Sequence, residues 1–500
     1  MKLCQHLQQR RRQCRRDNRQ PDFPHRASPS LVSITHVIIR LNAGLIEVQR
    51  PIEPLGPAWG HPSFAQAKQP DSLVSHGRVE MSAKQRRTPG VYVSDLRALP
   101  TAVAGVATSI PVFIGYTEKV PETASRPIAN LAIGIDSIAQ FEERFGARAD
   151  GDPAGMTPIL YESLELFFAN GGMRCYIVSV GSFADFAADL EGGAGLRPDR
   201  LQAGLRATRM QSGPTLLLAP DALAMAVNDY LEFACSMIWQ AARLGDRFAI
   251  VDVPGGGDPA NDAPDRIAAV IERFRKGIEP AGAAKSYGAA YFPYLVTTAA
   301  GGRRRMPASP VIAGTYAASD NLNGVWSAPV DHPLEMIEGV VIAIGDAEQG
   351  GMNIPFDGVA VNAVRAFPDR GVVVWGARTF DGGSEDFRYV QVRRTLIYIE
   401  QSIKTALAQF AFANNDAPTW AAVTAMVSAF LTDLWAGGAL LGAKASDAFI
   451  VSCGREATMN GLDILNGILR VRIAVQMIHP AEFVRLELEQ KMAVRPQPAL

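Results

Sequence analysis

Apolar residues recur at helical spacing in the C-terminal third of the chain. After Asp386 they step by three and four residues, which places them on one stripe of a long helix. The members of that stripe are Tyr389, Val392, Leu396, Ile399, Ile403, Ala406 and Phe410. A second helix is predicted over 420–435, closed by Gly437 and Gly438, because glycine tolerates the backbone conformation that ends helices.

The middle of the chain alternates short apolar runs with helical patterns. Strands are predicted at 175–180, 214–218, 247–253, 287–295 and 371–375. Helices are predicted at 161–170, 222–244, 262–276 and 310–318. Strand–helix–strand order with wholly apolar strands is typical of a largely parallel sheet that is covered on both faces. The predicted fold class is therefore α/β.

Two segments near the C-terminus alternate cleanly between apolar and polar positions. The apolar positions are Leu469, Val471, Ile473 and Val475 in the first segment and Val484, Leu486 and Leu488 in the second. Each predicts a strand with one buried and one solvated face. A short β-prone stretch, Val91, Tyr92 and Val93, lies far from any hairpin partner. Such strands must pair, and the buried face fixes their register.

Residues 1–80 differ in charge from the remainder of the chain. They contain 12 basic and 6 acidic residues, against 37 and 44 in 81–500, and they hold five of the seven histidines. The pattern predicts a basic, disordered extension, and Met81 is a possible true start because globular composition begins there. A nucleic-acid or membrane tether is disfavoured, since no aromatic residues interleave the arginines.

Composition excludes several classes of protein. The 500 residues are 48% hydrophobic and 20% charged with a net charge of −1, which indicates a folded, multi-domain chain and gives no case for nucleic-acid binding. Five widely spaced cysteines without a C-x-x-C motif favour reduced thiols. The apolar stretch Ala98–Thr117 contains Pro100 and Pro111, which argues against a membrane-spanning helix.

Candidate chemistry is sparse. Gly437–Lys444 fails as a phosphate-binding loop because Ala443 separates the last glycine from the lysine. Pro254–Asp258 follows a predicted strand and precedes a helix, a position where α/β proteins bind ligands, so an enzyme that uses this loop is an alternative. Asp221 is predicted to cap the helix that follows it. No nucleophile, metal-ligand or cofactor motif is present, and no cofactor is predicted.

The chain from about Thr88 to Lys491 resembles the tail sheath proteins of contractile phages and of related contractile injection particles. The strings that carry the resemblance occur in the family's order over roughly 400 residues. They are Thr88–Val93, Ala107–Thr117, Phe167–Gly172, Asp246–Pro254, Tyr287–Tyr291, Gly371–Thr379, Arg388–Arg394, Tyr398–Glu400 and Asn415–Trp420.

The resemblance implies a mixed, multi-domain α/β architecture. Its parts are an N-terminal arm and first strands (81–118), a variable outer domain (119–204), a domain that is subtilisin-like in shape but not catalytic (205–380), and an α+β C-terminal domain with a C-terminal arm (381–500). It also implies that the two arms, containing Val91–Val93 and the strands over 469–475 and 484–489, pair with neighbouring subunits.

The function that the resemblance implies is structural. Subunits would stack as hexameric rings around an inner tail tube, meet baseplate and tail terminator components, and contract to drive the tube through a target envelope. Assembly would occur in the bacterial cytoplasm, and the product would be part of a phage tail or an extracellular tail-like particle. An α/β hydrolase or nucleotide-binding enzyme and a non-contractile shell module are the alternatives.

Overall fold

The computed structural model describes residues 35–42, 45–49, 102–123, 126–127, 130–148, 157–190, 195–298, 303–353, 358–480 and 482. The strands in these ranges are β1 (Thr35–Asn42), β2 (Leu45–Gln49), β3 (Pro111–Thr117), β4 (Glu122–Thr123), β5 (Arg126–Pro127), β6 (Ala132–Ile135), β7 (Cys175–Ser182), β8 (Leu216–Leu218), β9 (Phe248–Asp252), β10 (Gly288–Phe292), β11 (Leu295–Thr297), β12 (Arg304–Met306), β13 (Ile337–Val340), β14 (Asn362–Phe367), β15 (Gly371–Val374), β16 (Phe449–Cys453) and β17 (Leu469–Val475).

The α-helices of the described ranges cover both faces of the largest sheet and form much of the C-terminal region. They are α1 (Ile138–Phe145), α2 (Leu160–Ala169), α3 (Phe183–Leu190), α4 (Asp199–Ala207), α5 (Val227–Leu244), α6 (Pro264–Ile278), α7 (Ser309–Asn323), α8 (Asp346–Asn353), α9 (Val390–Leu407), α10 (Ala417–Ala436), α11 (Ala445–Ala448) and α12 (Gly461–Leu465). The helix expected over 222–244 is divided into a short 3-10 turn, Pro220–Ala224, and α5.

The largest sheet has the strand order β15-β14-β10-β9-β8-β3-β7-β6. The six inner strands are parallel, whereas β6 and β15 pair antiparallel with their neighbours at the two edges. The predicted parallel α/β core is confirmed, and the last predicted strand, 371–375, forms an antiparallel edge. We call this sheet and its covering helices the main body.

The strands of the main body are buried on both faces, which explains their continuous apolar sequences. In β3, Val112 and Ile114 contact a core shared with α4, α5 and α6, while Phe113 contacts the opposite core beside α2 and α7. Leu217 and its neighbour Leu218 divide in the same way. Because both faces of the sheet are buried, the sequences of these strands do not alternate between apolar and polar residues.

A third core lies between α9, α10 and the C-terminal strands. The predicted stripe on α9 is confirmed, because its members all belong to or pack against this core. The α10 helix begins after Asp416, whose carboxylate accepts a hydrogen bond from the Thr419 backbone N–H at 3.2 Å. Next to this core lies a sheet of order β16-β17-β1-β2, which we call the terminal sheet. Two smaller antiparallel sheets, β12-β11-β13 and β4-β5, complete the described structure.

Two placements differ from the sequence-based expectation. The strands β1 and β2 fall inside 1–80, where a disordered extension was expected, because residues 35–42 find in β17 an edge with free backbone groups. The segment 119–204, expected as an outer domain, contributes β6 and β7 to the main sheet. Apolar strands such as β7 are stable only when both faces are covered, and the main sheet provides that cover.

Within the described ranges, none of the helices combines the length and the apolar character that crossing a lipid bilayer requires.

Candidate functional site in the terminal sheet

The strand β17 is the centre of the terminal sheet, and it has the bounds that the sequence predicts. Leu469, Val471, Ile473 and Val475 point into the third core with exposed fractions of 0–5%. Arg472, on the opposite face, is exposed. The predicted division into a buried and a solvated face is thereby confirmed for this strand.

The connection from β16 to β17 is held by its own hydrogen bonds. Asn460 caps α12 by accepting from the Asp463 backbone N–H at 2.8 Å, and the Asp463 carboxylate accepts from the Asn460 backbone N–H in return. The Arg470 guanidinium donates to Asp463 at 2.9 Å, and the Thr458 hydroxyl donates to the Arg470 carbonyl at 2.6 Å. The β16–β17 hairpin is therefore a preformed unit rather than a loosely tethered strand.

The two edges of the β16–β17 hairpin differ in the described part of the chain. Along one edge, β17 pairs antiparallel with β1 in the register Thr35 to Val475 through Leu41 to Leu469. Along the other edge, β16 has no further strand among the described residues. Ile450 in β16 is 58% exposed there. An exposed edge with unpaired backbone groups is a template for adding a strand.

The other predicted arm residues are Val91, Tyr92, Val93, Val484, Leu486 and Leu488, and they lie outside the described residues. Their pairing with a neighbouring subunit stays a prediction. Four polar residues that no sequence pattern indicates hold the chain where each arm leaves the body. Asp320, Arg378 and Arg394 are buried, and Glu482 is half-buried. No local pattern marks them, because each pair joins residues 74 or 104 positions apart.

The Pro254–Asp258 loop, the alternative ligand site, uses its polar groups internally. The Gly255 carbonyl accepts from the Asn261 side chain at 2.9 Å, and the Gly256 carbonyl accepts from the Tyr294 backbone N–H at 3.1 Å. The Asp258 carboxylate accepts from the Ala260 backbone N–H at 2.9 Å, in a short turn. These internal hydrogen bonds are those of a connecting loop.

Two buried aspartates lie at the ends of main-sheet strands: Asp221 follows β8, and Asp252 is the last residue of β9. Each accepts hydrogen bonds at the start of a helix from another part of the sequence. Asp221 accepts from the backbone N–H groups of Ile159 and Tyr116 at 2.7 and 2.8 Å, so it caps α2 rather than the helix that follows it. Asp252 accepts from the Ser309 backbone N–H at 2.8 Å, at the start of α7. Burial raises the pKa of Asp221 to about 7 and that of Asp252 to about 6, although these hydrogen bonds favour the charged forms.

The remaining candidate residues have structural environments. Cys175 is fully buried in β7, and Cys453 lies half-buried in β16, where burial raises its thiol pKa to about 12. Burial, followed by the Arg388 charge, lowers the pKa of His479, whose ring lies 5.8 Å from that of Tyr389. Among the residues described, no group of three or more His, Cys, Asp or Glu side chains is arranged to hold a metal ion.

Comparison with known proteins agrees with this geometry. The phage tail sheath C-terminal domain matches residues 383–491, a range that includes α9, α10 and the β16–β17 hairpin. The chain is similar to the sheath of an extracellular contractile injection system, PVC, in its contracted state, with 29% identity, a TM-score of 0.61, and coverage of 81% of this chain and 98% of the other. Among curated proteins, no sequence matches this chain.

Two structures of the anti-feeding prophage are similar to a comparable degree. Its helical sheath in the contracted state shares 27% identity at a TM-score of 0.61 over 81% of this chain and all of the other. A chain of its 6-fold symmetrised baseplate shares 27% identity at a TM-score of 0.57, again over 81% of this chain and all of the other. The fold and the terminal sheet thus define a sheath protein of a contractile particle.

Residues 383–491 thus match the phage tail sheath C-terminal domain, and the chain as a whole is similar to the sheath proteins of extracellular contractile injection systems. Its role is that of a structural sheath subunit, as its family and its structural neighbours are structural proteins rather than enzymes. Proteins of this kind are components of phage tails or of extracellular tail-like particles.

Proposed function

We propose that this protein polymerises as stacked hexameric rings around an inner tail tube, and that the resulting sheath contracts to drive the tube through a target cell envelope. The match of residues 383–491 to the sheath C-terminal domain carries this proposal. The similar chain from a 6-fold symmetrised baseplate supports six-fold rings and contact with a baseplate. Assembly takes place in the bacterial cytoplasm, and a tail terminator closes the far end of the sheath.

In this proposal the two edges of the β16–β17 hairpin receive the arms of two neighbouring subunits. One arm contains Val91–Val93 and the other contains the alternating residues from Val484 to Leu488. Adding an extended segment to an exposed edge supplies backbone hydrogen bonds, and the alternating side chains supply register. Contacts of this head-to-tail kind give helical assemblies when the rotation between subunits does not close a ring.

The free energy for contraction comes from the lattice, so no nucleotide is needed at the moment of firing. A subunit that gains a few kcal/mol of contacts between the extended and the contracted lattice has a strongly biased two-state equilibrium. The arms keep neighbours connected throughout, because strand pairing in the terminal sheet does not depend on how the main bodies pack against one another.

Residues 35–42 pair with β17 at an edge that an arm would need, so truncation separates the two roles. A chain that starts at Met81 frees the edge and retains the arm at 91–93, and we expect it to form hollow cylinders visible by electron microscopy. A chain that starts at Arg97 lacks the arm as well, and we expect folded monomers without cylinders.

Circular dichroism and the unfolding transition of both truncated chains serve as the control for folding. A third chain that ends at Glu482 tests the C-terminal arm in the same way. Normal cylinders from the chain that starts at Arg97 would show that the N-terminal arm does not connect subunits. The absence of cylinders from every chain, including the full-length protein, would contradict the sheath function itself.

A further inference from the structure

The N-terminal arm enters the body along one face of α9. We call residues 103–109 the N-terminal root. Val103 packs against the third core, and the Val106 backbone N–H donates to the Ser402 hydroxyl at 3.1 Å. At Gly105 the root passes so close to the Tyr398 ring that a Cβ atom would collide with its hydroxyl group. The contacts of the root on α9 fall at Arg394, Tyr398 and Ser402, which are four residues apart and therefore lie on one face of the helix.

A buried ion pair holds the far end of the N-terminal root. Arg394 of α9 donates to both carboxylate oxygens of Asp320 in α7, at 2.6 and 3.0 Å, and these side chains are 3% and 5% exposed. The hydroxyl groups of Thr108 and Ser109 donate to the same carboxylate, and Arg394 also donates to the Ser109 hydroxyl at 2.8 Å. The root is thus hydrogen-bonded directly to a charged pair that is shielded from water.

Glu482 holds the start of the C-terminal arm in a comparable way, and we call it the C-terminal root. Its two carboxylate oxygens accept from the Arg378 guanidinium at 2.9 and 2.5 Å. They also accept from the Asn353 side chain at 2.5 Å and from the Tyr389 hydroxyl at 3.0 Å. Burial raises the pKa of Glu482, but these donors and the Arg378 charge outweigh burial, and the net shift is downward. Four donors on one carboxylate make an unusually complete anchor for a chain segment.

The two roots meet the same helix within its first turns. Tyr389, which binds the C-terminal root, is the residue immediately before α9, and Arg394, which binds the N-terminal root, lies about 7–8 Å further along the helix axis. Arg378 is fixed to this end of α9 by an antiparallel bridge to Tyr389. The Asn362 side chain in β14 bonds the backbone N–H and carbonyl of Arg378 at 2.7 Å each.

We propose that the N-terminal end of α9 is a strut that links the roots of the two arms and carries load between neighbouring subunits. Force on the N-terminal arm is transmitted to α9 through Ser109, Asp320 and Arg394. From α9 it is transmitted through Tyr389 and Arg378 to Glu482. Asp320 in α7 and Asn362 in β14, which bonds Arg378, brace this path against the main body. This inference rests on the proposed function, because it requires that the arms connect subunits.

The N-terminal root is tested by removing its hydroxyl groups without touching the ion pair. The double substitution Thr108→Val and Ser109→Ala leaves Arg394 and Asp320 paired and deletes the two donors from the root. Without the hydrogen bonds from residues 108 and 109 to the Asp320 carboxylate, the root should separate from α9 more often. We expect the fraction of molecules with a separated root to rise about tenfold. We expect about tenfold faster amide hydrogen exchange at Val106 and Ile110 in the free subunit. The matched control is Thr432→Val with Ser428→Ala, which makes the same changes on α10, away from both roots.

The C-terminal root is tested by Glu482→Gln, which keeps the size of the side chain and removes its charge. Amides at 476–479 are expected to exchange about tenfold faster, since the Arg378 pair is lost. Glu456→Gln is the control, because Glu456 forms an ion pair with Arg455 that is 66–82% exposed and distant in sequence from the root. Tyr389→Phe, which deletes one hydroxyl and leaves the ion pair intact, repeats the test if Glu482→Gln fails to fold.

The load path is tested on assembled cylinders of the full chain. Cylinders of wild type, both root variants and both controls are passed through a narrow needle at increasing shear, and their lengths are measured by electron microscopy. We expect the root variants to assemble into cylinders. At a shear that leaves wild-type and control cylinders intact, the root-variant cylinders should break into fragments several-fold shorter.

Root variants that survive shear as the wild type does would overturn the strut, even if their amides exchange faster. Because this comparison uses wild-type cylinders, it fails separately from the proposed function. Absence of cylinders both from the full chain and from the chain that starts at Met81 contradicts the sheath role, whereas intact variant cylinders contradict only the strut.

Discussion

The main body and the terminal sheet differ in how their sheets are covered. The main sheet ends in antiparallel strands, β6 and β15, and helices cover both of its faces. The terminal sheet buries one face against α9 and α10, and its edge strand β16 is paired on one side only among the described residues. The main body therefore has a core on each face of its sheet, and the terminal sheet has the features of a joint that can accept further strands.

The difference shows how one chain can serve both as a building block and as a connector. Covering both sheet faces gives the main body a core that does not depend on neighbours. The terminal sheet keeps backbone donors and acceptors available, at the risk of unwanted pairing. The preformed β16–β17 connection limits that risk, because it fixes the register before a partner arrives.

The largest expected effect comes from a proline in the central strand of the terminal sheet. Ile473 has a paired strand on each side, so Ile473→Pro removes a hydrogen bond of the ladder and also a buried side chain, whose truncation to Ala alone costs about 2–5 kcal/mol. We expect the amides of β16 and β17 to lose their protection from hydrogen exchange, while those of β8, β9 and β10 keep it. Ile473→Val, which costs about 1 kcal/mol, is the control. Simultaneous loss of protection in both regions would mean that they unfold as one unit, and the comparison would break.

A pH titration distinguishes the main body through its buried aspartate. The folded-state pKa of Asp221 is about 7, above its ordinary value near 4, so its contribution to stability is fully present below pH 4. That contribution is lost as the pH rises towards 7, and we expect the free energy of unfolding to fall by on the order of 2–4 kcal/mol over this interval.

The Asn side chain in Asp221→Asn cannot ionise. When the free energy of unfolding is measured with urea from pH 4 to pH 8, it should therefore fall less steeply with pH in this variant than in the wild type. Asp258→Asn, in an exposed loop, serves as the control and should retain the wild-type slope. An unchanged slope in Asp221→Asn would assign the pH dependence to other groups.

The smallest expected effect tests the connection of the terminal sheet. Asn460→Ala removes the cap of α12 and costs about 1 kcal/mol. We expect faster exchange at Ile468, whose backbone N–H donates to the Asp463 carbonyl, and no change in the main body. Ser137→Ala removes the cap of α1 in the main body and should leave Ile468 unaffected. An effect of Ser137→Ala on Ile468 would reveal coupling between the regions.

Local periodicity accounts for the parts of the fold that sequence analysis predicted well. The α9 stripe and the alternation of β17 each arise from one face of a single element in contact with a core, and such patterns lie within about 20 residues. The strands β8 and β9 were predicted from apolar runs with bounds that differ by one or two residues. The antiparallel pairing of β15 at the edge of the sheet was not predicted, because an apolar run does not indicate the direction in which a strand pairs.

Long-range pairing decided the remaining features. Asp221 looked like the cap of its own helix, yet it caps α2 some 60 positions earlier, since the fold brings those N–H groups closer than its own. The partners Arg394 and Asp320, and likewise Arg378 and Glu482, are single charged residues with no periodicity, and only packing makes them neighbours.

For elements such as α9, β17 and the apolar strands of the main sheet, the sequence by itself determined the kind of element, because burial of apolar groups imposes a pattern on neighbouring residues. Only the tertiary structure decided which strands lie side by side, which edge stays open, and which charges pair beneath the surface. Those choices depend on backbone groups and single side chains that are far apart in the chain, so no local pattern encodes them.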